Sequence, residues 1–275
     1  MSSINSITKT ASWFWAILAF IILGALLLYL MQRTLVYSPS KITPSQKAFQ
    51  AEDMQRVKLL TADNISLNAW YKAAPNPKKP TVIVFHGNAG HIGTRMPLAR
   101  QLIQKGFGIL LLDYRGYGGN PGRPSEQGLY QDARAGMAFL KQQHIPMQHT
   151  VLYGESIGTG VAVKMATEYP KACALILQSP YTTLTELGEY HYPWIPIAPW
   201  DKFDSLGRVK SIHMPLLALH GTQDIVVPYQ QGRRLFKAAN QPKLWHRIES
   251  KGHKDLWTPE FIQTVNDFIA KHCSL

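Results

Sequence analysis

Residues 150–169 read TVLYGESIGTGVAVKMATEY, and their reading decides the fold. A short apolar run ends at Gly154-Glu-Ser156-Ile-Gly158, and an apolar and small-residue stretch with helical spacing comes next. Strand, sharp turn and helix in immediate succession form a nucleophile elbow, in which glycines two residues either side of a serine let strand and helix pass closely. The serine hydroxyl is then presented at the C-terminal edge of a sheet and at a helix N-terminus, where developing negative charge is favoured. The bland alternative is a serine that merely caps a helix in an ordinary strand–helix turn.

The same rhythm extends outward in both directions. TVIVFHG (81–87), FGILLLDYRG (107–116), ACALILQSP (172–180) and MPLLALHG (214–221) are short continuous apolar runs ending in Gly, Ser or Pro. Runs of this kind suit strands buried on both faces of a parallel sheet. Helical patterns lie at 97–105, 125–143, 159–169, 230–240 and 259–271, so a doubly wound, mostly parallel α/β sheet is expected. Before it, 57–60 and 65–71 read as a β-hairpin. Residues 181–209, which contain YHYPWIPIAPW, break the alternation, and a short lid insertion is expected there.

A serine needs a base, and the base needs a carboxylate to fix its tautomer; the order expected on such a sheet is Ser, acid, His. Asp224 comes after the strand-like PLLALHG, and His253 after the strand-like KLWHRIES, so both reach the edge that carries Ser156. Among rivals, His220 reads as hydrogen-bonded support, His246 as a strand-face residue, Asp255 as a solvated-loop carboxylate, and Asp113 as the end of an earlier strand. The oxyanion of acyl transfer requires backbone donors, for which Asn88 in FHGNAG and Ile157 after the serine are the candidates. His86 reads as a brace for that loop. The loop lacks the Lys-Ser/Thr ending of a phosphate-binding P-loop.

Residues 13–31, WFWAILAFIILGALLLYLM, carry no charge and no polar face, and a 19-residue helix spans roughly 28 Å, a bilayer core. The exit YLMQRTLVY lacks the small residues of a signal-peptide cleavage site, so residues 1–32 are expected to be a transmembrane anchor. Residues 33–50 read as a juxtamembrane linker and 51–275 as one catalytic domain. Lys9 before the span and Arg33, Lys41 and Lys47 after it nearly balance, which leaves the membrane side unassigned. The chain of 275 residues carries a formal net charge of +12, and 45% hydrophobic residues exclude a disordered chain. One of the 29 basic residues, Lys9, precedes the span, which leaves 28 against 17 acidic, a net of +11 beside lipid. An anionic bilayer surface is the expected partner for that charge; nucleic acid is not, for no recognition module accompanies it. Two cysteines, Cys173 and Cys273, argue against a disulfide scaffold or thiolate metal site.

FHGNAG, DYRGYGGNPGRPSEQGLYQDA, YGESIGTG, HGTQDIVVP and KGHKDL occur in that order. Over about residues 33–272 the chain thereby resembles the membrane-anchored branch of the α/β-hydrolase-domain-containing serine hydrolases. The resemblance implies an α/β-hydrolase fold, a Ser156, Asp224, His253 triad, an oxyanion hole at Asn88 and Ile157, and substrates among lysophospholipids or lipid-modified thioesters. His91 and Lys254 stand where Asn is common, close to the site, and bear on substrate preference. The expected function is a membrane-tethered serine hydrolase of ester or thioester bonds, with no cofactor or metal. The alternatives are a serine peptidase and a catalytically silent membrane-tethered scaffold.

Overall fold

The computed structural model describes residues 2–195 and 198–273, with side chains from residue 13 onward. Helix α1 (Ser2–Val36) is followed by β1 (Ser38–Pro39), then by β2 (Gln55–Leu60) and β3 (Ser66–Lys72), which pair antiparallel. Next come β4 (Thr81–Phe85), β5 (Ala89–Gly90), α2 (Met96–Gln104), β6 (Gly108–Leu112), α3 (Glu126–Gln142), β7 (Thr150–Glu155) and α4 (Ile157–Glu168). The remainder runs β8 (Ala174–Gln178), α5 (Leu184–His191), α6 (Ser205–Val209), β9 (Leu216–Gly221), α7 (Tyr229–Ala238), β10 (Lys243–Ile248) and α8 (Pro259–His272).

Eight strands form the main sheet in the order β10-β9-β8-β7-β4-β6-β3-β2. Neighbours from β10 to β6 are parallel, and the antiparallel β3 and β2 close one edge. Alternate residues of each parallel strand feed opposite cores. Ile83, Leu110, Leu152, Leu175 and Ala218 pack on the face covered by α3, α4 and α7, while Val84, Leu111, Val151, Ile176 and Leu219 pack on the face covered by α2 and α8. Each such Val, Leu or Ile side chain contributes about 1.5–3 kcal/mol when fully buried, so a polar residue at either parity would be selected against by the packing. This is why the strands read as unbroken apolar runs. Local caps set the helix starts: Ser125 accepts from the Gly128 N–H before α3, and Thr258 accepts from the Phe261 N–H before α8.

Three features differ from the sequence expectation. The apolar helix runs on past residue 31 to Val36, and Trp13–Val36 is long and apolar enough to cross a membrane. Residues 33–50, whose composition suggests a free linker, dock on the domain instead. Tyr37 is buried, Ser38–Pro39 pairs with Ala89–Gly90, and the Gln46 amide donates to the Ala51 and Met54 carbonyls. Irregular backbone held by individual side chains leaves no period in the sequence. Finally, Cys173, just before β8, and Cys273, just after α8, form a disulfide across a separation of 100 residues, with a Cα–Cα distance of 5.5 Å. That pairing arises from α8 lying back across the sheet, which spacing alone does not reveal.

Candidate active site

The strand order turns back at β4, whose neighbours are β6 and β7, so the C-terminal strand ends frame a crevice. The loop Gly87–Gly90 leaves β4, Ser156 leaves β7, Asp224 leaves β9 and His253 leaves β10, all at this edge.

Ser156 adopts φ 53° and ψ −120°, a conformation that costs about 1–3 kcal/mol for a residue with a side chain. The turn admits it only because its flanks are glycine. A Cβ on Gly154 would lie 2.6 Å from the Gly158 carbonyl oxygen, and one on Gly158 would overlap the Phe85 carbonyl. His253 Nε2 lies 3.0 Å from Ser156 Oγ, and its Nδ1 lies 2.7 Å from Asp224 Oδ2. With Nδ1–H donating to the carboxylate, Nε2 is left to accept the serine proton.

Asp224 is itself held on both oxygens. Oδ1 accepts the Val226 and Val227 N–H groups at 2.9 and 2.8 Å, and Oδ2 also accepts the Ser179 hydroxyl at 2.9 Å. Burial alone would raise its pKa, but the imidazoles of His220 and His253 and the Val227 N–H outweigh burial and hold the carboxyl well below the usual range. His220 Nε2 lies 3.0 Å from the Val227 carbonyl and 3.4 Å from Asp224 Oδ2, a supporting position.

Asn88 and Ile157 line the same cavity as Ser156. Ile157 opens α4, so its N–H belongs to the first turn, where no intrahelical acceptor exists. The Asn88 carbonyl accepts from the Ser38 N–H and the Tyr117 hydroxyl, and its side-chain amide donates to the Val36 carbonyl, at 3.0, 2.8 and 3.1 Å. His86 is buried against Tyr114 with Nδ1 2.7 Å from the Gly87 carbonyl; burial, then the Arg95 charge, pushes its pKa well down and keeps it neutral. Asp113 accepts the Ile92 N–H, and Asp255 accepts the Gly252 N–H, so both rivals brace loops. His91 packs edge-on against Phe49 and is not among the residues lining the cavity; Lys254 is exposed.

Two contributors are not legible in the sequence. Ser179, at the end of β8, supports Asp224 from a position with φ 50°. Arg95 donates through Nε and Nη2 to both oxygens of Glu155, at 2.9 and 3.0 Å, and through Nη1 to the Ala89 carbonyl at 2.8 Å. It thus joins the Gly87–Gly90 loop to the elbow. The only sequence signal for Ser179 is its place at the same strand edge; Glu155 occupies the unconstrained position of the elbow motif. The cavity over Ser156 has a volume of about 800 Å³ and is walled largely by apolar side chains, among them Leu184, Leu187 and Tyr192 of the 181–209 segment. Among the described residues, no three His, Cys, Asp or Glu side chains cluster as a metal site.

Residues 76–200 match the family described as serine aminopeptidase S33. An uncharacterized protein of Mycobacterium tuberculosis is 40% identical over 245 residues, 87% of each chain. The α/β-hydrolase domain-containing protein WAV2 of Arabidopsis thaliana is 30% identical over 91% of this chain and 90% of its own. The lysophosphatidylserine lipase ABHD12 of Danio rerio is 32% identical over 69% of this chain and 54% of its own length. Among solved structures, an esterase of Pyrococcus furiosus superposes with a TM-score of 0.72 over 87% of this chain and 98% of its own, at 20% identity, a likeness of fold.

Proposed function

This chain belongs to the α/β-hydrolase domain-containing serine hydrolases, and from that premise we propose a single-pass, membrane-tethered enzyme cleaving carboxylic ester or thioester bonds of acylated substrates. The observation that carries this reading is the line from Asp224 Oδ2 through His253 to Ser156 Oγ, at 2.7 and 3.0 Å, opening on an apolar cavity. His253 Nε2 takes the Ser156 proton as Oγ attacks the acyl carbonyl, and Asp224 holds the imidazole and stabilises its charge. The oxyanion is met by the N–H groups of Ile157 and Asn88. His253 returns the proton to the leaving alcohol or thiol; water, deprotonated by the same nitrogen, then releases the acid. The lipase named among the relatives supports a lipid or other acylated substrate.

The ties between α1 and the domain support an anchor that is retained. Arg33 and Tyr37 both bond Asp201, a role that a cleaved leader would not fill in the mature chain. The Cys173–Cys273 bond supports a domain on an oxidising side of the membrane, since cytosolic thiol pools reduce such bonds. A serine aminopeptidase is the second reading, favoured by the family description and by Glu189 at the cavity, a carboxylate suited to a substrate ammonium.

The test is a series of p-nitrophenyl esters from C2 to C16, with aminoacyl p-nitroanilides alongside, and fluorophosphonate labelling. Ester turnover and labelling that both vanish in Ser156→Ala are expected. Turnover that survives Ser156→Ala, or anilides cleaved in preference to esters, refutes the esterase reading.

A further inference from the structure

Four residues of the membrane helix, Leu28, Gln32, Leu35 and Val36, line the cavity that holds Ser156. Their spacing of four, three and one places them on one face of α1. The contact is built in from three sides. Arg33 grips Asp201 with two hydrogen bonds, at 3.0 and 3.1 Å, and the Tyr37 hydroxyl donates to the same buried carboxylate at 2.9 Å. Gln32, the polar member of the lining face, accepts the Trp200 N–H at 2.5 Å, while Tyr29 packs edge-on against the Trp200 ring. The last carbonyl of the helix, on Val36, accepts the Asn88 side chain, and β1 pairs with β5 just beyond. These bonds tie the helix end to Trp200 and Asp201 on one side and to the Gly87–Gly90 loop on the other.

We propose that the last two and a half turns of α1, from Leu28 to Val36, are a wall of the acyl pocket, so that the anchor itself sets chain-length selectivity. The proposal rests on the serine hydrolase reading given above. Its occupant is the single acyl chain of an amphiphilic ester, drawn from the bilayer along Leu28 and Leu35 toward Ser156. The cavity volume of about 800 Å³ falls in the range of small-molecule sites, roughly 300–1,000 Å³. The remaining exposure of the rim fits a lipid-facing mouth. Tyr192 and Ile225 of the same lining stay exposed, as does Trp194 packed against Tyr192, with Leu35 at 66% exposure. Aromatic and aliphatic side chains so placed seat at the headgroup boundary.

The experiment uses the full chain in liposomes of neutral lipid, with Leu28→Trp and Leu35→Trp inside the wall and Leu30→Trp, which is not among the lining residues, as the control. The readout is the ratio of kcat/KM for C12 to that for C4 p-nitrophenyl esters, with fluorophosphonate labelling reporting an intact Ser156 site. Either wall variant is expected to lower the ratio about tenfold or more, as displacement of roughly two buried methylenes would. Leu30→Trp leaves the ratio at its parent value. A ratio unchanged in both wall variants, or lowered equally by the control, overturns the proposal. Should a tryptophan abolish labelling, Leu35→Ala replaces it and shifts the optimum toward longer chains; no shift overturns the proposal. Loss of labelling in the parent protein would instead sink the serine hydrolase reading.

Discussion

Asp224→Asn separates a triad from a structural hydrogen-bond cluster. Because the Val226 and Val227 N–H groups both point at Oδ1, the carboxamide oxygen takes that position and its NH₂ group takes the place of Oδ2. That NH₂ faces His253 Nδ1 at 2.7 Å, where a donor now meets a donor. The neutral imidazole resolves the conflict by moving its proton to Nε2. Nε2, 3.0 Å from Ser156 Oγ, then donates where it should accept, and the base is lost. In triads the wrong tautomer lowers kcat by about 10⁴-fold, or about 5.5 kcal/mol of barrier. KM should change little, for Asp224 is not in contact with the acyl group in this mechanism. The native carboxyl is held below its unfolded value, so its contribution to stability is present above about pH 4 and fades as pH falls further. The variant therefore also loses that acid dependence. The assay is p-nitrophenyl ester turnover at pH 7.5 with the rate of fluorophosphonate labelling in parallel. A kcat within tenfold of the parent, with labelling at the parent rate, would refute the tautomer argument.

Burial pushes the Asp113 carboxyl up to about 7 from the 3.8 of a free carboxyl, so the fold favours its neutral form and this group's contribution falls as pH rises from 4 to 7. Asp113→Asn keeps an acceptor for the Ile92 N–H and should gain on the parent across that window, by about 4 kcal/mol at its upper end; a pH-independent difference in urea unfolding refutes this. Arg95→Met strands Glu155 without its cation and should cost about 3 kcal/mol; adding Glu155→Gln should restore at least half, and no restoration would refute an ion-pair role. Reduction of Cys173–Cys273 reopens a loop of 100 residues and should cost about 2–5 kcal/mol. A melting temperature unmoved by reductant, or by Cys173→Ser, would count against the bond.

The sequence by itself determined whatever is written in consecutive residues. The two-sided burial of β4, β6, β7, β8 and β9 produces apolar runs, the elbow needs Gly154 and Gly158 near Ser156, and a helix long and apolar enough to cross a membrane is a matter of length and composition. Asp224 and His253 were legible for a related reason: each sits in the loop leaving a strand, and parallel strands deliver such loops to one edge. The tertiary structure alone decided the rest. Ser179 reaches Asp224 across 45 residues, Arg95 reaches Glu155 across 60, and Arg33 reaches Asp201 across 168. Contacts of this kind impose no period and require no special residue beside either partner. Their partners meet only when the crossovers between strands are closed. For the same reason the stretch from Arg33 to Gln50, a linker by composition, became the strap that joins the N-terminal apolar helix to the pocket over Ser156.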